Sequence, residues 1–170
     1  MAMLMLKDVP QYECLLEGAK HFPDLEPSAV GAFLHLLRTS TDVYEAFSRF
    51  LEKHAISPGR FIVLTLLLRD AEKPMNPADL AECSGVARAT MTGLIDTLER
   101  DGLVKREPDP SDRRMMLVGL TARGRTFIEG IMPDYFRRVS ALMAGTTAAD
   151  RKTIVNLMAK IQQGVPAVTA

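Results

Sequence analysis

A chain of 170 residues, 47% of them apolar, is long enough to bury one core of its own. Its 21 basic and 21 acidic residues cancel to a formal charge of zero, which excludes a nucleic-acid partner held by bulk positive charge alone, because phosphate neutralisation dominates such affinity. Two cysteines, Cys14 and Cys83, at neither metal nor disulfide spacing, and a Met1–Leu6 stretch too short for a signal or span, exclude a disulfide scaffold and a membrane protein and point to the cytoplasm.

In chain order, Asp8 to Asp24 permits a short helix over Tyr12–Ala19, stopped before Pro23. Pro27 opens a long amphipathic helix to about His54, with Val30, Phe33, Leu34, Leu37, Tyr44, Phe47 and Leu51 at helical spacing. At 1.5 Å per residue it spans about 40 Å, longer than one small lobe can bury. Ser57 and Pro58 start the next helix, which reaches about Asp70. Its Phe61, Ile62, Leu64, Leu66, Leu67 and Leu68 are apolar nearly all round, so it belongs at the centre of the fold.

After Lys73-Pro74, the run Asn76-Pro77-Ala78-Asp79 has the residue types of a helix start, and Gly85 is the left-handed stop of a helix ending near Ser84. A second helix follows from Arg88 to Asp101, closed by Gly102; two helices joined by a short glycine-bearing turn make a helix-turn-helix. In the second, Met91, Leu94, Ile95 and Leu98 form the inward stripe, while Ala89, Thr92, Gly93, Asp96 and Arg100 lie outward. Small polar residues at the N-terminal half of such a face are what a recognition helix presents to base edges. Gly93 costs roughly 1 kcal/mol in a helix interior, and close approach of DNA is one reason to keep it.

Leu103–Glu107 and Met115–Thr121 read as two strands around a turn-rich tip, Pro108 to Arg114, that ends in Arg113 and Arg114. An arginine-tipped hairpin suits a narrow minor groove, and Asp112 is close enough to orient the arginine. From Val86 to Arg114 six basic residues meet six acids, so a footprint depends on arrangement, with arginine at the tip and acids facing away. Thr121 then caps a helix carrying Phe127, Ile128, Ile131, Val139, Leu142 and Met143, with a bend expected at Pro133. Thr147 to Asp150 is a capping box for a last helix that aligns Ile154, Leu157, Met158 and Ile161. The terminal helices carry more apolar stripe than the central lobe needs, which mutual burial in a homodimer would use.

The runs Leu80-Ala81-Glu82 to Gly85-Val86, Thr90 to Glu99, Asp101 to Arg106, Asp109 to Arg114 and Leu120 to Gly124 together resemble the MarR family of bacterial winged-helix regulators, over about Glu26 to Gln163. The resemblance implies that Asp112 and Arg114 form the wing-tip pair, with Arg114 in the minor groove. It also places Arg88, Thr90 and Thr92 on the DNA-facing half of the recognition helix, beside Gly93. Ala87 departs from the Ser, Thr or Asp that such proteins commonly carry before this helix. The family implies a small phenolic or lipophilic effector in a crevice between the long helix, the helix after it and the post-wing helix, with Phe33, Tyr44, His54 and Phe61 as candidate lining. His21-Phe22-Pro23 and Phe127 to Pro133 are similar to EmrR-type members, which respond to drugs and uncouplers.

The expected fold is mainly α with a small β wing. A winged helix-turn-helix lobe, residues 57–121, sits between an N-terminal extension and long dimerisation helix, 1–56, and C-terminal dimerisation helices, 122–170. The expected function is a ligand-responsive repressor that binds double-stranded DNA as a dimer, on half-sites about 10 base pairs apart or a multiple. Two alternatives are a redox-sensing regulator acting through Cys14 or Cys83 and a winged-helix protein-interaction module without DNA binding. No catalytic set, metal cluster or phosphate loop stands at workable spacing, and His21, His35 and His54 are scattered; no enzyme and no cofactor is expected.

Overall fold

The computed structural model describes residues 8–69, 73–112 and 114–168. Helices α1 (Tyr12–Ala19), α2 (Pro27–Glu52) and α3 (Pro58–Arg69) precede the helix pair α4 (Pro77–Ser84) and α5 (Arg88–Arg100). The antiparallel strands β1 (Val104–Pro108) and β2 (Met116–Leu120) follow, then α6 (Ala122–Leu142), α7 (Ala148–Gly164) and a short 3-10 turn, Val165–Val168. The strands pair in the register Val104 with Leu120 through Pro108 with Met116. This is the mainly helical fold with a small β wing that the residue pattern implies.

Each boundary has a local cause. Glu26 caps α2 by accepting from the Ser28 and Ala29 amides at 3.1 and 2.5 Å, and those bonds, led by the one from the Ser28 hydroxyl, hold its carboxyl below the ordinary range. The far end of α2 stops at Glu52, short of the expected His54. There Ala55 takes a left-handed φ of 53°, and the Ile56 and Ala55 amides bond back to the Leu51 and Glu52 carbonyls at 3.3 and 3.0 Å. That pair of bonds is a Schellman closure, which satisfies the last carbonyls and turns the chain into α3.

The core centres on α3, where Phe61, Val63, Leu64 and Leu67 are buried, as expected of a helix apolar on most sides. Around them stand Leu80 and Ala81 of α4, Met91, Ile95 and Leu98 of α5, Val104 and Val118 of the strands, and Ile128 and Ile131 of α6. Burying one such aliphatic side chain contributes about 1.5–3 kcal/mol, so these contacts hold the helix pair, the hairpin and the start of α6 as one lobe. Met75 extends the sheet: its backbone exchanges two bonds with Val118, at 3.0 and 2.8 Å. One residue between Pro74 and the α4 cap carries no strand signal, and the sequence pattern misses it.

Thr121 joins the lobe to α6. Its hydroxyl accepts from the Gly124 amide at 2.9 Å and donates to the Gly102 carbonyl at 2.7 Å, while its own amide bonds the Leu103 carbonyl at 3.1 Å. A side chain on Gly124 would collide with that same Leu103 carbonyl. The helix continues through the exposed Pro133 to Leu142. Beyond it, α7 begins with the expected capping box of Thr147 and Asp150, yet none of its residues is buried and Ile154, Leu157, Met158 and Ile161 lie exposed.

Because the Leu103 carbonyl is backbone and cannot yield, Gly124→Ala is expected to destabilise the chain by about 3 kcal/mol, a strain of the over-packing class. Thermal melting followed by circular dichroism checks this, with Gly130→Ala, on an open face of the same helix, as the control expected to melt no lower than wild type.

Candidate nucleic-acid interface

Asn76 caps α4 by accepting from the Asp79 amide at 2.9 Å, and Gly85, at φ 65°, ends it. Residues 85–87 then turn the chain into α5, whose Met91, Ile95 and Leu98 are buried against the core. This anchors the helix by one face and leaves Arg88, Ala89, Thr90, Thr92, Gly93, Asp96 and Arg100 exposed on the other. The Thr92 hydroxyl donates to the Arg88 carbonyl at 3.0 Å, so its lone pairs face outward as acceptors. A Cβ on Gly93 would meet nothing within 4 Å among the described residues, so no contact among them accounts for glycine there. Ala87 supplies no side-chain cap, which leaves first-turn amides of α5 without an internal acceptor.

The far end of α5 is tied at two points. Arg60 of α3 makes an ion pair with Asp101, just past the last turn. From β1, Arg106 reaches back with one guanidinium nitrogen on Glu99 and the other on Asp96, the latter at 2.5 Å, and its amide adds a bond to Glu99 at 3.2 Å. Burial opposes charge on Arg106, yet the hydrogen bonds it donates to Asp96 and Glu99, with their negative charge, outweigh it and hold the guanidinium above its ordinary pKa. Asp96 therefore does not face away from the outward side, as the arrangement argument expects of the acids; it lies exposed there and is paired instead.

The hairpin tip is built by its own aspartates. Asp109 accepts from the Ser111 hydroxyl at 2.6 Å and amide at 2.7 Å, and these bonds, the hydroxyl's first, hold its carboxyl below the ordinary range. Asp112 accepts from the Arg114 amide at 3.0 Å and from its Nε at 3.3 Å. The Arg114 side chain is otherwise 90% exposed, an arginine held at its root and free at its fork. Arg113 lies outside the described residues.

A separate groove of about 730 Å³ runs between α2 and α6, lined by Val43, Tyr44, Phe47, Phe50, Tyr135 and Arg138 among others. Of the four lining residues expected from sequence, Tyr44 is in it. Phe61 is a core residue packed at 5.5 Å against Phe47 and 5.4 Å against Tyr135. His54 packs on Phe50 at 5.1 Å, and Phe33 is exposed elsewhere on α2. Phe50, Tyr135 and Arg138 were missed: spacing shows which residues share a helix face, not which two faces meet. Arg138 stands 5.0 Å from the Phe50 ring centre and also bonds Asp134 at 2.9 Å; the hydrogen bond from Arg138, with that from Arg137 added, outweighs the opposing effect of burial and holds the Asp134 carboxyl below its ordinary range.

The sequence profile described as the MarR family matches residues 56–116, the span from the turn before α3 to the first residue of β2. The repressor NicR of Pseudomonas putida is 32% identical over 132 residues, 75% of this chain and 80% of its own length. The chain belongs to the MarR family. A second MarR-type relative, the repressor YetL of Bacillus subtilis, is 29% identical over 153 residues, 90% of this chain and 92% of that one. Among solved structures, Bordetella bronchiseptica BpsR, whose DNA binding is regulated by 6-hydroxynicotinic acid, superposes with a TM-score of 0.65 at 30% identity, covering 75% of this chain and 91% of that chain. This MarR protein is thus a DNA-binding transcriptional regulator and not an enzyme. Cys14 and Cys83 are both free and exposed, and among the described residues no His, Cys, Asp and Glu group could hold a metal.

Gly93 separates stability from binding. Gly93→Ala is expected to stabilise the isolated chain by about 1 kcal/mol through helix propensity and, on the sequence expectation that this face meets a duplex, to weaken DNA binding several-fold. Melting and a mobility-shift titration on one preparation check the opposed signs.

Proposed function

We propose that this regulator is a repressor that binds a near-palindromic operator as a homodimer and is released by a small aromatic or lipophilic effector. The observation that carries the reading is the joint exposure of two elements on one rigid lobe: the outer face of α5, with Arg88, Thr90, Thr92 and Gly93, and the wing tip, with Arg114 steered by Asp112. A helix end in a major groove and an arginine in the flanking minor groove would read sequence and shape together. The uncapped amides at the start of α5 suit a phosphate.

The pattern of burial supports dividing the chain into a DNA-binding lobe, 57–121, and terminal dimerisation segments, 1–56 and 122–170, although Phe50, Leu51, Ile56, Ile128 and Ile131 from those segments also pack into the central core. Core side chains concentrate in the central lobe, whereas Tyr12, Leu16 and Phe22 near the N-terminus and Phe136, Leu142, Ile154, Leu157, Met158 and Ile161 near the C-terminus are exposed. A second copy is the occupant that suits a two-fold operator. The effector would enter the α2–α6 groove, where apolar rings meet the Arg138 guanidinium, a lining that suits a flat molecule with an anionic or phenolic edge. An effector that binds the released arrangement better would shift the lobes and free the DNA. Working on DNA, the protein would act in the cytoplasm; among the described residues no helix is long and apolar enough to cross a membrane.

Footprinting of the DNA flanking its own gene is expected to show protection over two half-sites about one helical turn apart, or a multiple, lost when one member of a panel of phenolic acids is added. Arg114→Ala is expected to lower affinity for that fragment about tenfold or more without changing the melting temperature. Equal binding by Arg114→Ala would remove the wing from the interface.

A further inference from the structure

Asp96 and Glu99 put two carboxylates on the part of the lobe that carries the outward face of α5, in a chain whose net charge is zero. Left alone, they would oppose a phosphate backbone brought to that face. The ion pairs show how the lobe deals with its acids between residues 86 and 112. Asp101 is paired with Arg60, Glu107 with Lys105 and Asp112 with Arg114; Asp96 and Glu99 share Arg106, and Asp109, at the hairpin tip, is held by Ser111 instead of a cation. Arg88 and Arg100, both exposed on α5, have no carboxylate partner among the described residues. The cancellation therefore leaves the cations of the helix outward and its acids occupied.

Arg106 is the least replaceable of these cations. It comes from a different element, is half-buried at 23% side-chain exposure, and uses both terminal nitrogens of its fork on the two carboxylates. With each terminal nitrogen already on a carboxylate and less than a quarter of the side chain exposed, it is poorly placed to bind phosphate itself. One planar guanidinium reaches two carboxylates in this way, but what offsets them is its positive charge, which a lysine ammonium at the same position would also carry.

We propose that Arg106 is a positioning residue for DNA binding that acts through charge: by offsetting one of the two negative charges of Asp96 and Glu99 and holding both carboxylates on its fork, it lets the outer face of α5 approach the phosphate backbone. The inference rests on the reading that this face meets DNA. Its effect is distinguishable from a mere structural tie, because removing the two carboxylates should make the arginine unnecessary.

The test compares full-length wild type, Arg106→Met, and the triple variant Arg106→Met, Asp96→Asn, Glu99→Gln on a DNA fragment from the protein's own upstream region, across a range of salt concentrations, with melting curves for each. Arg106→Met is expected to bind about tenfold more weakly at low salt and to converge toward wild type as salt rises, while the triple variant returns to within about threefold of wild type. Wild-type affinity in Arg106→Met overturns the proposal. So does a triple variant that melts normally yet binds as weakly as the single one, since that assigns Arg106 a direct or purely geometric role. Should Arg106→Met not fold, Arg106→Lys decides: it keeps the charge and is expected within about threefold of wild type, and a tenfold loss in a folded lysine variant overturns the proposal. Arg88→Ala is measured alongside. If it weakens binding and Arg106→Met does not, only the charge role fails; if neither has an effect, the assignment of α5 to the DNA face fails with it.

Discussion

Four apolar side chains, Ile154, Leu157, Met158 and Ile161, share one stripe of a helix none of whose residues is buried, and that unmet burial is the constraint on which the rest of the molecule depends. The helix is well made locally, with a capping box at its start, so its apolar face is not a symptom of poor structure. At about 25 cal/mol per Å² of apolar surface, covering it and the exposed Phe136, Val139 and Leu142 of the preceding helix would contribute more than any single ion pair in the lobe. In the proposed homodimer a second copy would supply a matching surface by symmetry, and an isologous interface would set the separation of whatever the two lobes carry.

The lobe is suited to be carried as a unit. Thr121 binds the end of α5, the first strand and the start of α6 through one hydroxyl and one amide, and Gly124 lets that helix begin against the Leu103 carbonyl. Arg60 and Arg106 fix the last turns of α5 from two further elements. A change of spacing between the terminal helices and α3 would thus reach the DNA face as a rigid displacement rather than be absorbed by bending. The α2–α6 groove lies where such a change of spacing can begin.

Much of the fold was legible because its signals are local. Asn76, Gly85, Gly102, Thr121 and the Thr147–Asp150 box each act within three or four residues, and each does in the structure what its residue type implies. The Asp112–Arg114 contact was legible for the same reason. What escaped the sequence depends on which surfaces meet. The Arg106 network spans seven and ten residues and needs the angle between a strand and a helix. Tyr135 and Arg138 join Phe47 and Phe50 only once α6 lies along α2, and Met75 becomes a sheet residue only because β2 passes beside it. Ala55 takes a left-handed conformation that residue type argues against, imposed by the closure of α2.

The central claim is that two copies hold their lobes at one separation suited to duplex DNA. The exposed native Cys83 on α4, spin-labelled after Cys14→Ser, reports that separation directly by dipolar spectroscopy, since one label per chain gives only interchain distances. Pairing predicts a single narrow interchain distance on operator DNA. No interchain distance at protein concentrations that saturate the DNA would contradict it.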